Sequence, residues 1–292
     1  MEYYSPLRYP GGKRKLAPLI KQVFKDNYLY DGVYVEPYAG GASIALSLLF
    51  NEYASKVIIN DIDPSIYAFW HSVLFNTEDL CKLVRDVPVN VRTWRIQKAI
   101  QRSYADASFL ELGFSTLFLN RTNRSGILKA GIIGGSNQSG EWKIDSRYNK
   151  PELTKRIQRI AKYKERIKIF NLDACQLLRR LKNQIPKKCL FYFDPPYYAK
   201  GKALYLNYYK DEDHVKICGE IKSIVAHKWI VTYDNVPFIR KLYSGFRQVK
   251  YHLAYTAGAF STGEEILILS DGLYIPSLTR KAINVGFLKQ CI

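Results

Sequence analysis

The 292 residues include 44 Lys and Arg against 26 Asp and Glu, a net charge of +18, with 47% hydrophobic side chains. That length and apolar content suffice for one sizeable core plus a smaller module, and so large a cationic surplus suggests a polyanionic partner more than a small substrate. No run of 18 or more apolar residues exists to span a bilayer, Met1 to Ser5 lack the regions of a signal peptide, and the cysteines Cys81, Cys175, Cys189, Cys218 and Cys291 form no C-x-x-C pair. With no ligand spacing among His71, His214, His227 and His252, the expectation is a cytoplasmic protein with no metal, no disulfide framework and no membrane contact.

Along the chain, a basic loop at Gly11-Gly12-Lys13-Arg14-Lys15 leads into a helix from about Leu16 to Asp26. A strand at Tyr34 then runs into Glu36-Pro37-Tyr38-Ala39-Gly40-Gly41-Ala42-Ser43, and an apolar helix starts at Ser43. Strand, glycine turn and helix are the layout that lets a ligand approach the backbone beside a helix N-terminus. The G-x-G-x-x-G spacing of a dinucleotide fingerprint is absent. A second strand at Val57 ends in Asn60-Asp61-Ile62-Asp63-Pro64, with Asp61 twenty residues past Gly41, the offset at which doubly wound folds set an acid on a ribose.

A helix-rich stretch follows from about Ser65 to Leu112. The Gly-, Ser- and Asn-rich segment from Asn120 to Asn149 reads as a loop and β-hairpin, and Glu152 to Arg166 as a charged helix. Strands come next at Ile167 to Asn171, Leu190 to Phe193, Lys228 to Tyr233 and Glu265 to Ser270. The gap between the strands ending at Asp61 and Asn171 is too long for a crossover and must hold an inserted domain.

The most informative segment is Leu190 to Tyr198, where an apolar strand runs into Asp194-Pro195-Pro196-Tyr197. The prolines end the ladder and hold the next residues extended, which puts Asp194 and Tyr197 at the carboxyl edge of the sheet, where open α/β folds bind ligands. A carboxylate beside a rigidly presented aromatic accepts hydrogen bonds from an amine while a flat ring stacks on the aromatic face. This describes a pocket for a nucleobase amine. A Pro-terminated strand with a capping Asp is the plainer reading, and it is the glycine turn and Asp61 that favour a nucleoside cofactor beside the pocket.

Four blocks in order, Tyr9-Pro10-Gly11-Gly12-Lys13, Glu36-Pro37-Tyr38-Ala39-Gly40, Phe118-Leu119-Asn120-Arg121-Thr122 and Asp194-Pro195-Pro196-Tyr197, make the chain resemble the S-adenosylmethionine-dependent DNA adenine methyltransferases. These are the family of the deoxyadenosine methylase of enteric bacteria. The resemblance implies a Rossmann-like α/β sheet with helices on both faces, built from residues 1–64 and 166–292, that binds S-adenosylmethionine. It also implies an inserted helical and β-hairpin target-recognition domain at 65–165. By the same resemblance, Tyr9 and Lys13 belong to a cofactor-binding loop, with Glu36, Pro37, Tyr38, Gly40 and Ser43 in the glycine turn. Asp61 and Ile62 lie toward the ribose, Asp173 near the adenine, and Asp194 near the methionine part and the target amine. For Lys13 a phosphate contact is the rival reading, since its loop is basic and flexible.

Between Gly113 and Lys168 thirteen basic residues face four acids, half the net charge in about a fifth of the chain, which marks the expected phosphate-facing surface. Within it Asn120, Arg121, Asn123, Arg124, Ile127, Lys129, Asn137 and Gln138 are the candidate DNA contacts, Arg suiting guanine and Asn or Gln adenine, with phosphate positioning or plain solvation the default for any single Lys or Arg. Where enteric members of the family place a Tyr, a Leu and an Arg that probe and read GATC, this chain has Arg124, Ile127 and Lys129, so a recognition sequence other than simply GATC is expected. The function read from the sequence is site-specific methylation of N6 of a flipped-out adenine in double-stranded DNA, catalysed by Asp194, Pro195, Pro196 and Tyr197. A cognate restriction endonuclease is an open partner. Beside this reading stand methylation of the cytosine exocyclic amine, RNA adenine methylation and a non-catalytic DNA-binding protein.

Overall fold

Seven strands, β1 (Gly32–Glu36), β2 (Ala54–Asn60), β3 (Ile167–Phe170), β4 (Cys189–Phe193), β5 (Lys228–Asp234), β6 (Arg247–Tyr255) and β7 (Ser261–Leu269), lie in the order β3-β2-β1-β4-β5-β7-β6. They are seen in a computed structural model that describes residues 3–8, 13–182, 184–199, 209–255 and 261–275. The chain folds as two units, residues 13–62 with 170–292 and residues 1–12 with 63–169.

The first unit carries β1, β2 and β4 to β7. β1 pairs in parallel with β2 and β4, and β4 with β5, while β7 runs antiparallel between β5 and β6. All five residues of β1 and of β4 are buried, the continuous apolar pattern of strands covered on both faces. Alternation sorts their side chains. Val33, Val35, Phe191 and Phe193 share one core cluster with Leu177, Leu178 and Leu181 of α8 (Ala174–Leu181) and Ile217 and Ile221 of α9 (Asp211–Ser223). On the alternate positions Tyr34 packs with Tyr192 and with Phe24 of α1 (Ala17–Asp26). The helices α2 (Ser43–Phe50) and α10 (Pro237–Leu242) complete this unit among the described residues. Chain order along the sheet reverses between β1 and β4, so the loops after these two strands open a crevice at the carboxyl edge.

The second unit is helical, with α3 (Pro64–Phe75), α4 (Thr77–Asp86), α5 (Val91–Arg102), α6 (Phe109–Thr122) and α7 (Lys150–Ala161). Local signals start these helices: Asp63 caps α3 ahead of Pro64, Asn90 caps α5, and Ser108 with Glu111 forms a capping box on α6. None of the described helices is long and apolar enough to cross a membrane.

Two expectations need correction here. No β-hairpin forms among the described residues of the insertion: the stretch after α6 is a series of turns with a single bridge between Asn123 and Ile132. The N-terminal arm groups with the insertion and not with the sheet, because Arg121 Nε donates to Pro6 O (2.6 Å), an Arg156 guanidinium nitrogen to Ser5 O (3.1 Å), and Asn120 exchanges two hydrogen bonds with the Arg8 backbone.

Candidate active site

Asp194 follows the last residue of β4 and is held there from β5. The Thr232 hydroxyl donates to Asp194 Oδ1 at 2.7 Å, with Tyr192 OH 3.1 Å from the same Thr232 oxygen. Because a hydroxyl has one proton and Thr232 gives it to the nearby carboxylate, Tyr192 is the donor in the second contact. Beyond the prolines, Asp234 at the end of β5 accepts from the backbone N–H groups of Tyr198 (3.0 Å) and Ala199 (2.8 Å). Pro195 is buried and Pro196 half-buried, so the whole turn is fixed at both ends.

Around the carboxylate lies a cluster of charges. Lys13 Nζ is 3.5 Å from Asp194 Oδ1 and 2.7 Å from Glu265 Oε2 on β7, and it also donates to the Tyr197 hydroxyl. Tyr197 OH in turn donates to Glu265 Oε1, and Tyr251 OH of β6 to Glu265 Oε2. The side chains of Lys13 and Glu265 are 3% and 2% exposed, whereas that of Asp194 keeps 20%. Burial pushes the Asp194 carboxyl up to about 6, with Lys13 and Thr232 pulling against it and Glu265 adding to the rise. Burial also raises the Tyr197 phenol, which stays neutral. Tyr197, read from the sequence as a rigidly presented stacking aromatic, is only 6% exposed, and Lys13 Nζ sits 4.7 Å from the ring centroid.

On the other side of the crevice the glycine turn is tied to the ends of β2 and β3. Asn60 donates to Pro37 O and Leu172 O (both 2.9 Å) and accepts from Leu172 N (3.0 Å), while Ala39 N donates to Asn60 O (2.8 Å). Asp61 Oδ2 accepts from Gly40 N at 2.9 Å, and Asn171 donates to the carbonyls of Asp61 and Ile62, whose own side chain is exposed. Gly40 and Ala42 both have positive φ, 45° and 46°, which folds the loop tightly ahead of Ser43, the first residue of α2. Tyr38 is half-buried with its hydroxyl 2.8 Å from that of Tyr209, and Asp173 caps α8 by accepting from Cys175 N and Gln176 N. Glu36 is buried, and its Oε2 has no hydrogen-bond partner among the described residues. Burial, with Asp194 and Asp61 close by, lifts its carboxyl well above the usual range. An orphaned carboxylate oxygen beside a backbone turn fits a ligand that brings a cationic or N–H group of its own. Tyr9 lies outside the described residues.

The sequence profile of the D12 class N6 adenine-specific DNA methyltransferases matches residues 9–256. The chain belongs to that family. It is 22% identical over 269 residues to the Type II methyltransferase M.MjaIII of Methanocaldococcus jannaschii, a match spanning 84% of this chain and 90% of that protein. It is 30% identical over 100 residues to the modification methylase StsI of Streptococcus sanguinis, spanning 34% of this chain and 14% of that one. The enzyme is an adenine-specific DNA methyltransferase whose methyl donor is S-adenosylmethionine. Among its described residues no group of three His, Cys, Asp or Glu side chains could hold a metal ion.

In this methyltransferase the candidate DNA contacts divide by burial. Asn120 is 2% exposed and gives its carboxamide to Arg8 N, Arg8 O and Gly126 O at 2.7 to 2.8 Å. Asn123 is fully buried, accepting from Trp94 Nε1 and donating to the carbonyls of Ile127 and Leu128. Gln138 donates to Ile133 O and Gly135 O and accepts from Ile144 N. Arg121 is bonded to Pro6 O, and burial with neighbouring Arg156 and Arg8 lowers its guanidinium to about 9. These four side chains bond to the backbone of the loop and of the N-terminal arm, a holding role that the sequence reading of them as candidate DNA contacts did not give. Gly126 shows how tight the arrangement is: at φ +76° its missing Cβ would lie 2.7 Å from Arg8 O. Arg124, Lys129 and Asn137 are exposed and Ile127 half-buried. Arg124 also lines a cleft of about 280 Å³ with Trp94, Arg95 and Ile132.

Sequence reasoning missed Glu265, Thr232, Asp234, Asn60 and Tyr251. The one signal for Glu265 was an acid opening the apolar strand Ile266-Leu267-Ile268-Leu269, a place where a charge is buried only with partners.

Proposed function

We propose that this enzyme methylates N6 of an adenine turned out of double-stranded DNA within a short recognition sequence, and that Asp194 is the acceptor that directs the amine. The observation that carries the reading is a partly exposed carboxylate at the end of β4 with one oxygen held by Thr232. S-adenosylmethionine supplies an electrophilic methyl on a sulfonium. The adenine amine is a poor nucleophile because its lone pair delocalises into the ring. Hydrogen bonds accepted by Asp194 and by the Pro195 carbonyl draw on the two amine protons, localise the lone pair and face the positive charge that develops on nitrogen. No covalent intermediate with the protein is needed.

Tyr197 contributes its ring as a stacking surface for the base. Its low exposure means that neighbouring groups give way as the base enters, and extrusion itself costs a few kcal/mol of unstacking. For the cofactor, the residues in reach are the turn from Glu36 through Pro37, Tyr38 and Gly40 to Ser43, with Asp61 and Ile62 on one side and Asp173 on the other. Glu36 is the natural acceptor for a cationic amino group. On the DNA side, the exposed Arg124, Lys129 and Asn137 with Ile127 are the groups available for contact. With Lys129 in the place of a planar guanidinium, the target is a sequence other than simply GATC.

The test is transfer of labelled methyl from S-adenosylmethionine to DNA, followed by digestion to nucleosides and sequencing of the modified positions. N6-methyladenine within one short motif is expected. Label in cytosine, transfer to RNA in preference to duplex DNA, or modification of every GATC without flanking preference each contradicts a stated part of the reading.

A further inference from the structure

We propose that Glu265 is a positioning residue for methyl transfer: it draws the Lys13 ammonium away from Asp194 and anchors the Tyr197 hydroxyl, leaving Asp194 free to accept from the target amine. The inference rests on the role given to Asp194 above. Lys13 lies between two carboxylates and is nearer Glu265, at 2.7 Å, than Asp194, at 3.5 Å. A single ammonium in a buried site forms its tight contact with only one of them. Were that partner Asp194, the carboxylate would be neutralised and its free oxygen occupied by a cation, and neither condition suits an acceptor for an amine that turns positive. Glu265 can compete because it is itself fully partnered, accepting from Tyr197 OH and Lys13 Nζ and from Tyr251 OH. The same carboxylate fixes the Tyr197 ring through its hydroxyl, so one side chain on β7 sets both the charge and the aromatic wall of the pocket.

The groups that face Asp194 come from every element around it: Lys13 from the 3-10 turn Lys13–Leu16, Tyr34 and Glu36 from β1, Tyr192 from β4, Thr232 and Tyr233 from β5, Tyr251 from β6, Glu265 from β7, and Tyr197 in its own loop. Burial holds the phenols neutral, and it places the Asp194 carboxyl at about 6, inside the range of about pH 5 to 8. Removing the negative charge of Glu265 lets Lys13 close on Asp194 and favours the ionised form of Asp194.

The experiment compares wild type with Glu265→Gln in single-turnover methyl transfer across that range, with DNA binding and S-adenosylmethionine binding measured alongside. The expected result is a plateau rate lower by roughly tenfold or more, from the blocked acceptor and misplaced ring. The acid limb should move down by about half to one pH unit, and both binding constants should stay within about threefold. The pairing of the two effects is what identifies the re-paired Lys13: loss of the neighbouring negative charge alone lowers the limb and leaves the plateau, and a purely structural role lowers the plateau and leaves the limb. An unmoved limb, or a wild-type rate, overturns the inference. Should Glu265→Gln fail to fold, Glu265→Asp carries the test. It retains the charge and shortens the reach, so the rate falls while the limb stays, and a wild-type rate overturns the proposal. Asp194→Ala separates this inference from its premise. If that variant retains turnover, the reading of Asp194 fails, whereas an inactive Asp194→Ala beside a wild-type Glu265→Gln profile removes Glu265 alone.

Discussion

In the sheet-bearing unit the buried polar side chains near the crevice include a crowded set of acids and an ammonium, with Lys13 between Asp194 and Glu265, whereas in the inserted unit they are neutral hydroxyls and carboxamides bonded largely to backbone. The difference follows from what each unit must do. A pocket that stabilises developing charge needs charges of its own, and these survive burial only when other charges and hydroxyls hold them. A loop that presents side chains to a partner needs a fixed backbone, and neutral Asn and Gln supply donors and acceptors without a charge-burial penalty. On the proposals made above, burial separates the groups that act from those that hold, and in the same sense in both units: the partly exposed Asp194 would act while the buried Glu265 holds its surroundings, and the exposed Arg124 would contact DNA while the buried Asn120 and Asn123 hold the loop.

The strongest challenge to this division is Asp194→Ala. Loss of an acceptor at developing charge should lower the transfer rate by about 100-fold or more, about 2.7 kcal/mol, with DNA affinity preserved in a gel-shift titration. Next in size is Asn120→Ala, which leaves the Arg8 amide and two carbonyls without their side-chain partner and should cost about 1–3 kcal/mol of stability in a urea titration. The folded fraction should keep its sequence preference, and a changed motif would make Asn120 a reader after all. Arg124→Ala should do the reverse, leaving stability within about 0.5 kcal/mol and costing binding. If Arg124 bonds a base edge, its removal relaxes one position of the motif by roughly 1–3 kcal/mol, whereas if it bonds a phosphate, its removal weakens all sequences alike and flattens the salt dependence. The smallest effect concerns Ala42, which adopts φ 46° where an L side chain is strained. Ala42→Gly relieves that strain, less the greater chain entropy of glycine, for a net gain of about 1 kcal/mol or less in thermal unfolding.

Six of the seven strands and the ends of the central ones were legible because their signals are local, whereas the edge strand β6 was not anticipated. An apolar run into Asp194-Pro195-Pro196, and a strand into Glu36-Pro37 with glycines behind it, specify strand, edge and turn within a dozen residues. Glu265 and Thr232 were not legible because they reach Asp194 and its neighbours through the sheet, with Glu265 meeting Lys13 across 252 positions of sequence. Each also sits in a strand whose apolar neighbours hide it. The loop after α6 was misread for a different reason. Residue type alone does not separate a carboxamide facing a base edge from one pairing with its own backbone, and the glycines that suggested a hairpin serve turns such as the one at Gly126.

The central claim is that an ionised Asp194, lifted by burial to about 6, drives the transfer step. The acid works in its charged form, so activity is present above that value and lost as pH falls through it. The most direct measurement is the single-turnover rate of methyl transfer by the wild-type enzyme between about pH 5 and 8, with DNA and cofactor saturating. A plateau above about pH 7 and a decline approaching tenfold per unit below about pH 6 is the predicted profile. A rate that is flat across the range, or that rises as the solution becomes more acidic, would contradict it.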